Sequence, residues 1–234
     1  MDVIELLPRL HLLRFPVGQA YLWRDGGALT LIDAGPIGAG RAIADAVTAL
    51  GHAPEDVRRI VLTHFHEDHV GGAGEFAGLG GAEVLAHPLD APFIRGELPG
   101  PPPQFEEWER PIHAAVAEQL PEGTPVPPAA LTEVADGAVL DFGDGAQVLH
   151  IPGHTDGSIA VFLPEHGVLF TGDTVAASPV DGTVIPGVFN LDRSQLRLSL
   201  DRLAELEPDV ACFGHGDPVV ENAAPALRAA ASAG

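Results

Sequence analysis

Four times along this chain an apolar run stops on a side chain able to bind a metal ion, with glycine close by. Ile60-Val61-Leu62 leads into Thr63-His64-Phe65-His66-Glu67-Asp68-His69, followed by Gly71-Gly72. Ile151-Pro152-Gly153 delivers His154, Leu169-Phe170-Thr171-Gly172 delivers Asp173, and Ala211-Cys212-Phe213-Gly214 delivers His215. Short apolar runs bounded by glycine read as strands, and glycine lets the backbone turn sharply or approach a neighbour closely. One histidine at a strand end is ordinarily a hydrogen-bonded surface or core residue. Four strand ends with the same chemistry point to a fold that gathers them around metal.

The runs Leu10–Phe15, Ala20–Trp23 and Ala28–Ile32 read as strands, with a hairpin signal at Asp25-Gly26-Gly27. Gly40–Leu50 has helical spacing through Ile43, Val47 and Leu50 and stops at Gly51. Arg58–Leu62 and Ala82–Ala86 are further strands. After Leu131 come strands at Val139–Phe142, Gln147–Ile151, Ser158–Leu163 and Val168–Thr171, a helix at Ser194–Leu206, a short strand at Val210–Phe213 and an Ala-rich helix at Asn222–Ala233. The second half repeats the strands-then-helix plan of the first, which predicts helices packed on a sheet. Pro88 to Pro128 interrupts this rhythm with Pro99, Pro101-Pro102-Pro103, a predicted helix from about Phe105 to Leu120, and Pro125, Pro127 and Pro128. It is rich in apolar residues (Phe93, Ile94, Phe105, Trp108, Ile112), and long insertions in compact domains are often functional. The expectation is a single domain over residues 1–234 with an inserted cap or lid at about 88–128.

At 234 residues and 46% hydrophobic, the chain can bury a sizeable core. Its net charge of −21 disfavours nucleic acid and anionic membrane surfaces as partners and leaves a small molecule. No apolar run is long enough to span a bilayer. The acidic start Met1-Asp2-Val3-Ile4-Glu5 lacks the marks of a signal peptide, and Cys212 is the single cysteine. Together these predict a reducing, cytoplasmic setting. All 12 basic residues are arginine, so no lysine serves as base, Schiff-base former or phosphate ligand.

His64-x-His66-x-Asp68-His69, His154, Asp173 and His215, with Asp33 closing Leu31-Ile32-Asp33, resemble the ordered motifs of the metallo-β-lactamase superfamily, from about Leu10 to His215. The resemblance implies an α/β (α+β) fold: an αββα sandwich of two mixed β-sheets flanked by helices. It implies that His64, His66 and His154 hold one metal, that Asp68, His69 and His215 hold a second, and that Asp173 bridges both. Asp68 is implied as the catalytic residue for proton transfer, and Asp33 as an acceptor for a ligand imidazole. Donors that are all nitrogen or oxygen suit two zinc ions and admit iron or manganese. Such ions lower the pKa of water towards about 7, so hydroxide is available at neutral pH. His11, His52, His87, His113, His150 and His166 are expected to be structural or exposed.

Departures within the superfamily narrow the reaction. Asp173 resembles the bridging carboxylate of the hydrolase branches, which the β-lactamases lack. The tRNA-processing nucleases have similar ligands, but the charge and the absence of lysine oppose them. Thr63–Gly72, Pro152-Gly153-His154-Thr155 and Gly172-Asp173-Thr174 are similar to glyoxalase II and related thioesterases. The chain stops soon after His215, which predicts no helical glutathione-binding domain and leaves the 88–128 cap to shape the pocket. Quorum-signal lactonases share much of the ligand set but typically place a tyrosine near the reacting carbonyl, and the only tyrosine here is Tyr21. The apolar loop Val184–Phe189, with Phe105 and Trp108, is a candidate lining for an acyl group. The implied activity is hydrolysis of a small ester, thioester or lactone by hydroxide held between two metals. One alternative is a mononuclear iron persulfide dioxygenase using His64, His154 and Asp173. Another is a non-catalytic metal-binding module, which the complete ligand set disfavours.

Overall fold

Two mixed β-sheets carry the chain in the computed structural model, which describes residues 1–233. They belong to two units, one formed by Met1–Gly100 and Ala115–Val134, the other by Pro101–Ala114 and the chain from Ala135 onward.

The first unit holds seven strands in sequence order: β1 (Asp2–Leu7), β2 (Leu10–Arg14), β3 (Gln19–Asp25), β4 (Ala28–Ile32), β5 (Val57–Val61), β6 (Glu83–Ala86) and β7 (Thr132–Glu133). Neighbours from β1 to β4 are antiparallel, and those from β4 to β7 are parallel. The change at β4 follows from the connections. Tight turns suffice for antiparallel neighbours, whereas α1 (Ala39–Ala49), then α2 (Glu67–Val70) with α3 (Ala73–Gly80), supply the crossovers that parallel strands need. The pairs Ile32↔Val61 and Val61↔Leu85 bring the carboxyl ends of β4, β5 and β6 level, the edge where such sheets carry their ligand-binding residues. Leu29, Leu31, Ile60, Leu62, Val84 and Ala86 pack with Ile43 and Val47 of α1 and Phe76 of α3. The intervening Thr30, Ile32, Val61 and Leu85 are buried too, so these strands are covered on both faces. Gly71 and Gly72 sit where α2 meets α3. A Cβ on Gly72 would strike the Ala34 carbonyl oxygen, and one on Gly71 the backbone of Pro36 and Ile37. The His-rich segment therefore lies directly on the loop after β4, an approach only glycine permits.

In the second unit β8 (Val139–Leu140), β9 (Ala146–His150), β10 (Ile159–Leu163) and β11 (Val168–Phe170) are antiparallel, and β14 (Val210–Cys212) adds in parallel beside β11. A separate ribbon pairs β12 (Val175–Ala177) with β13 (Val184–Pro186). Leu149, Ile151, Leu169, Ala211 and Phe213 pack with Leu196, Leu200 and Leu203 of α6 (Arg193–Ala204) and Leu227 of α7 (Ala224–Ala233). Asp192 caps α6 by accepting from the Ser194 and Gln195 amides at 2.9 and 3.0 Å.

The structure departs from the sequence reading in several places, among them the unread helix α3 and strands β7 and β12. β1 is mostly exposed, so it has no buried face to mark it. Val184–Pro186 is a strand rather than loop, because its partner Val175–Ala177 satisfies its backbone. The helix expected from Phe105 is shorter, α5 (Arg110–Ala117). Before it, the Glu109 carboxylate takes the Glu106 amide at 2.7 Å, and residues up to Glu109 form a turn. Residues 88–128 also include the short α4 (Ala91–Ile94) and contribute to both units. No described helix is long and apolar enough to cross a membrane.

Phe76 is fully buried against β4–β6 and α1. Phe76→Ala is expected to cost about 3–5 kcal/mol of unfolding free energy, measured by urea titration.

Candidate metal-binding residues

In the first unit, β4 and β5 end side by side, and their next residues build a support for imidazoles. Asp33 follows β4 in the left-handed region (φ 58°) and is buried. Its carboxylate accepts three hydrogen bonds: from the Thr63 amide at 2.8 Å, the Thr63 hydroxyl at 2.8 Å and His69 Nδ1 at 2.9 Å. The Thr63 hydroxyl spends its proton on Asp33, so its lone pairs face His64 Nδ1 at 3.0 Å. His64 therefore carries its proton on Nδ1 and a lone pair on Nε2. The same logic puts a proton on His69 Nδ1, which meets a carboxylate, so that in the neutral ring the lone pair lies on Nε2. The two rings lie with centroids 4.2 Å apart. His66 points Nδ1 at His64 Nε2 across 3.1 Å, and Asp68 Oδ2 lies 3.5 Å from His69 Nε2. Between the two histidines, the Phe65 amide donates to the buried Asp90 at 3.0 Å, which fixes the loop. Burial first, and then the adjacent Asp68 carboxylate, raise the pKa of Glu67.

In the second unit, His154, Asp173 and His215 follow β9, β11 and β14. Asp173 Oδ2 is 3.7 Å from His154 Nε2 and 3.1 Å from His215 Nε2. His154 Nδ1 faces the Val188 carbonyl at 3.1 Å and Asn190 Oδ1 at 3.3 Å. A carbonyl only accepts, so this imidazole too has a proton on Nδ1, and in the neutral ring its lone pair lies on Nε2. Gly187 lets the chain run beside Asp173: a Cβ there would meet the Asp173 carbonyl oxygen.

Sequence reasoning placed Asp33 correctly as an imidazole acceptor. It assigned no role to Thr63, Asp90 or Asn190, whose contacts join positions 30, 25 and 36 residues apart. Among the remaining histidines, His150 contacts the Asp156 carbonyl, His166 pairs with Asp144 and His52 with Asp56. His113 lies against Phe105 and Phe189. Burial pushes the Cys212 thiol up, which removes it as a nucleophile.

The donors fit a divalent cation. Three imidazoles have Nδ1 bound to a hydroxyl, carboxylate or carbonyl, the arrangement that orients metal-binding histidine. Carboxylates stand beside the Nε2 atoms of two of them, His69 and His154.

A family model for the metallo-beta-lactamase superfamily matches residues 13–215. The chain belongs to that superfamily. Its two mixed sheets with flanking helices are those of the metallo-β-lactamase fold, and the superfamily consists mostly of hydrolases. A probable metallo-hydrolase, YqjP of Bacillus subtilis, is 28% identical over 88% of this chain and 69% of its own length. A hydroxyacylglutathione hydrolase of Rhodobacter capsulatus is 30% identical over 84% of this chain and 61% of its own. The crystal structure of TTHA1623 in a di-iron-bound form superposes with a TM-score of 0.64 at 29% identity, covering 92% of this chain and 95% of that one.

Thr63→Val keeps the volume but removes the hydroxyl that links Asp33 to His64. In metal-free protein it is expected to cost about 1–3 kcal/mol, because a buried carboxylate loses a donor and an imidazole N–H faces a methyl. A lower urea midpoint with unchanged slope is the measurement.

Proposed function

We propose that this superfamily member is a dinuclear metal hydrolase that cleaves a small ester, thioester or lactone. The observation that carries this reading is the complete nitrogen and oxygen donor set, with His64, His69 and His154 each held at Nδ1. In this reading His64, His66 and His154 hold one ion, Asp68, His69 and His215 hold the second, and Asp173 serves both. Zinc is the preferred metal, and iron or manganese would suit the same donors. When bound, such ions polarise a carbonyl and make water nucleophilic at neutral pH.

The chain's own residues then have separable tasks. Asp33 and Thr63 keep the first unit's imidazoles in the tautomer that presents Nε2, and Val188 with Asn190 does the same for His154. Asp68 is assigned the proton that the leaving group takes up; it is buried, with one oxygen turned to His69. Phe105 and Phe189, perpendicular with centroids 5.8 Å apart, and His113 form a partly exposed aromatic patch one residue from Val188. We assign this patch to the acyl part of the substrate, and residues 88–128 to a cap on a single functional domain. The relatives' names favour hydrolysis, and the hydroxyacylglutathione hydrolase favours a thioester. A small-molecule substrate and a cytoplasmic setting complete the proposal. A mononuclear iron dioxygenase would need only His64, His154 and Asp173. It gives no reason for a buried Asp33 to hold His69.

His66→Ala is expected to abolish turnover and lower bound metal while leaving the folded circular-dichroism spectrum intact. Undiminished hydrolysis by this variant would sink the proposal. One iron per chain in the wild type, with oxygen uptake on a persulfide, would replace it with the dioxygenase.

A further inference from the structure

We infer that Glu109 is a positioning residue for His154, acting through the backbone of Phe189. The inference rests on the reading of His154 as a metal ligand.

Glu109 is fully buried, although its neighbours Glu107, Trp108 and Arg110 are exposed. A buried carboxylate is tolerated when its charge and its oxygens are matched. Here Oε2 accepts from Arg193 at 2.6 Å and from the Glu106 amide at 2.7 Å, and Oε1 accepts from the Phe189 amide at 3.2 Å. Arg193 opens α6, so this carboxylate ties the segment before α5 to the start of α6 and to the chain just ahead of it.

That chain wraps His154. Val188 offers its carbonyl and Asn190 its side-chain oxygen to His154 Nδ1. The Asn190 amide group donates to the Gly187 carbonyl at 2.6 Å, which turns its oxygen towards the imidazole. Leu191 and Asp192 donate their amides to the carbonyls of His154 and Gly153 at 3.2 and 2.9 Å. At the centre stands Phe189, a bulky residue in the left-handed region (φ 60°). Such a conformation persists only where its surroundings hold it. Two contacts hold it here: the Glu109 carboxylate on its amide, and the Phe105 and His113 rings against its side chain. Releasing Phe189 lets the peptides on either side rotate, and with them the Val188 carbonyl and Asn190. His154 then loses the acceptors that set its tautomer and ring orientation.

Glu109→Gln tests this with little change in shape. The amide oxygen can still accept from Arg193 and the Glu106 amide, but the NH2 then faces the Phe189 amide, donor against donor. The control is Glu107→Gln, an exposed carboxylate paired with Arg110. Three measurements are made on each protein: the proton–nitrogen NMR signal of His154 Nδ1–H in the metal-free state, cobalt affinity by chelator competition, and the visible spectrum of the cobalt-loaded protein. Glu109→Gln is expected to broaden or lose the Nδ1–H signal, weaken the tighter-bound cobalt about tenfold and shift the cobalt bands. Glu107→Gln should match the wild type in all three. A folded Glu109→Gln protein with the wild-type Nδ1–H signal, affinity and bands overturns the inference. If that variant does not fold, Glu109→Asp replaces it: the charge stays for Arg193, the shorter side chain withdraws from the Phe189 amide, and the same loss is expected, with wild-type behaviour again overturning the inference. Failure of the parent reading is separately visible: a wild type that binds no cobalt refutes His154 as a ligand, while the metal-free NMR signal still tests its dependence on Glu109.

Discussion

The buried Asp33 carboxylate is the interaction on which the first unit's chemistry depends. Its two oxygens take the Thr63 amide, the Thr63 hydroxyl and His69 Nδ1. A charge in this position is costly unless fully hydrogen-bonded, so the requirement runs both ways. The strand ends at Asp33 and Thr63 must lie level for the carboxylate to be satisfied, and the parallel register of β4 with β5 makes them level. Once Asp33 is satisfied, the tautomers of His64 and His69 follow, because a carboxylate and a spent hydroxyl leave Nδ1 only the donor's role. The backbone conformation belongs to the same device: the left-handed turn at Asp33 follows directly from the end of β4.

The second unit reaches the same result with different groups. His154 is held by a main-chain carbonyl and an asparagine oxygen, and the strained residue is Phe189 between them. Acidic support enters one layer further out, as Glu109 on the Phe189 amide. In both units a non-glycine residue at positive φ stands where an imidazole is supported. Strain of this kind concentrates at functional sites because the surrounding hydrogen bonds over-determine the local backbone. The Val188–Asn190 segment also adjoins the Phe105–Phe189–His113 patch, so the peptides that orient His154 are continuous with the aromatic surface proposed for the substrate.

How much of this was legible in the sequence varied with the range of the interaction. Buried strands such as Ala28–Ile32 and Val168–Phe170 announced themselves, since apolar runs between glycine-rich turns have few other readings. The exposed β1 did not, because it lacks a buried face. β13 looks like a loop in the sequence, since its apolar residues carry no mark of the ribbon partner that makes them a strand. The turn before α5 depends on Glu109, whose carboxylate caps the chain and whose charge is offset by an arginine 84 residues away. No local pattern announces a partner at that distance.

By itself the sequence determined the chemistry of the donors and their places at strand ends, since residue identity and hydrophobic runs are local properties. That was enough to predict the superfamily and its mixed sheets, and to propose the set His64, His66, Asp68, His69, His154, Asp173 and His215 as ligands. Only the tertiary structure decided which nitrogen of His64, His69 and His154 is held as a hydrogen-bond donor. That choice depends on acceptors brought in from Thr63, Asp33, Val188 and Asn190, and three of those four stand more than thirty positions from the ring they hold. A hydrogen bond is set by distance and angle in space, which sequence separation does not encode, and so the supports of the site became visible only in the fold.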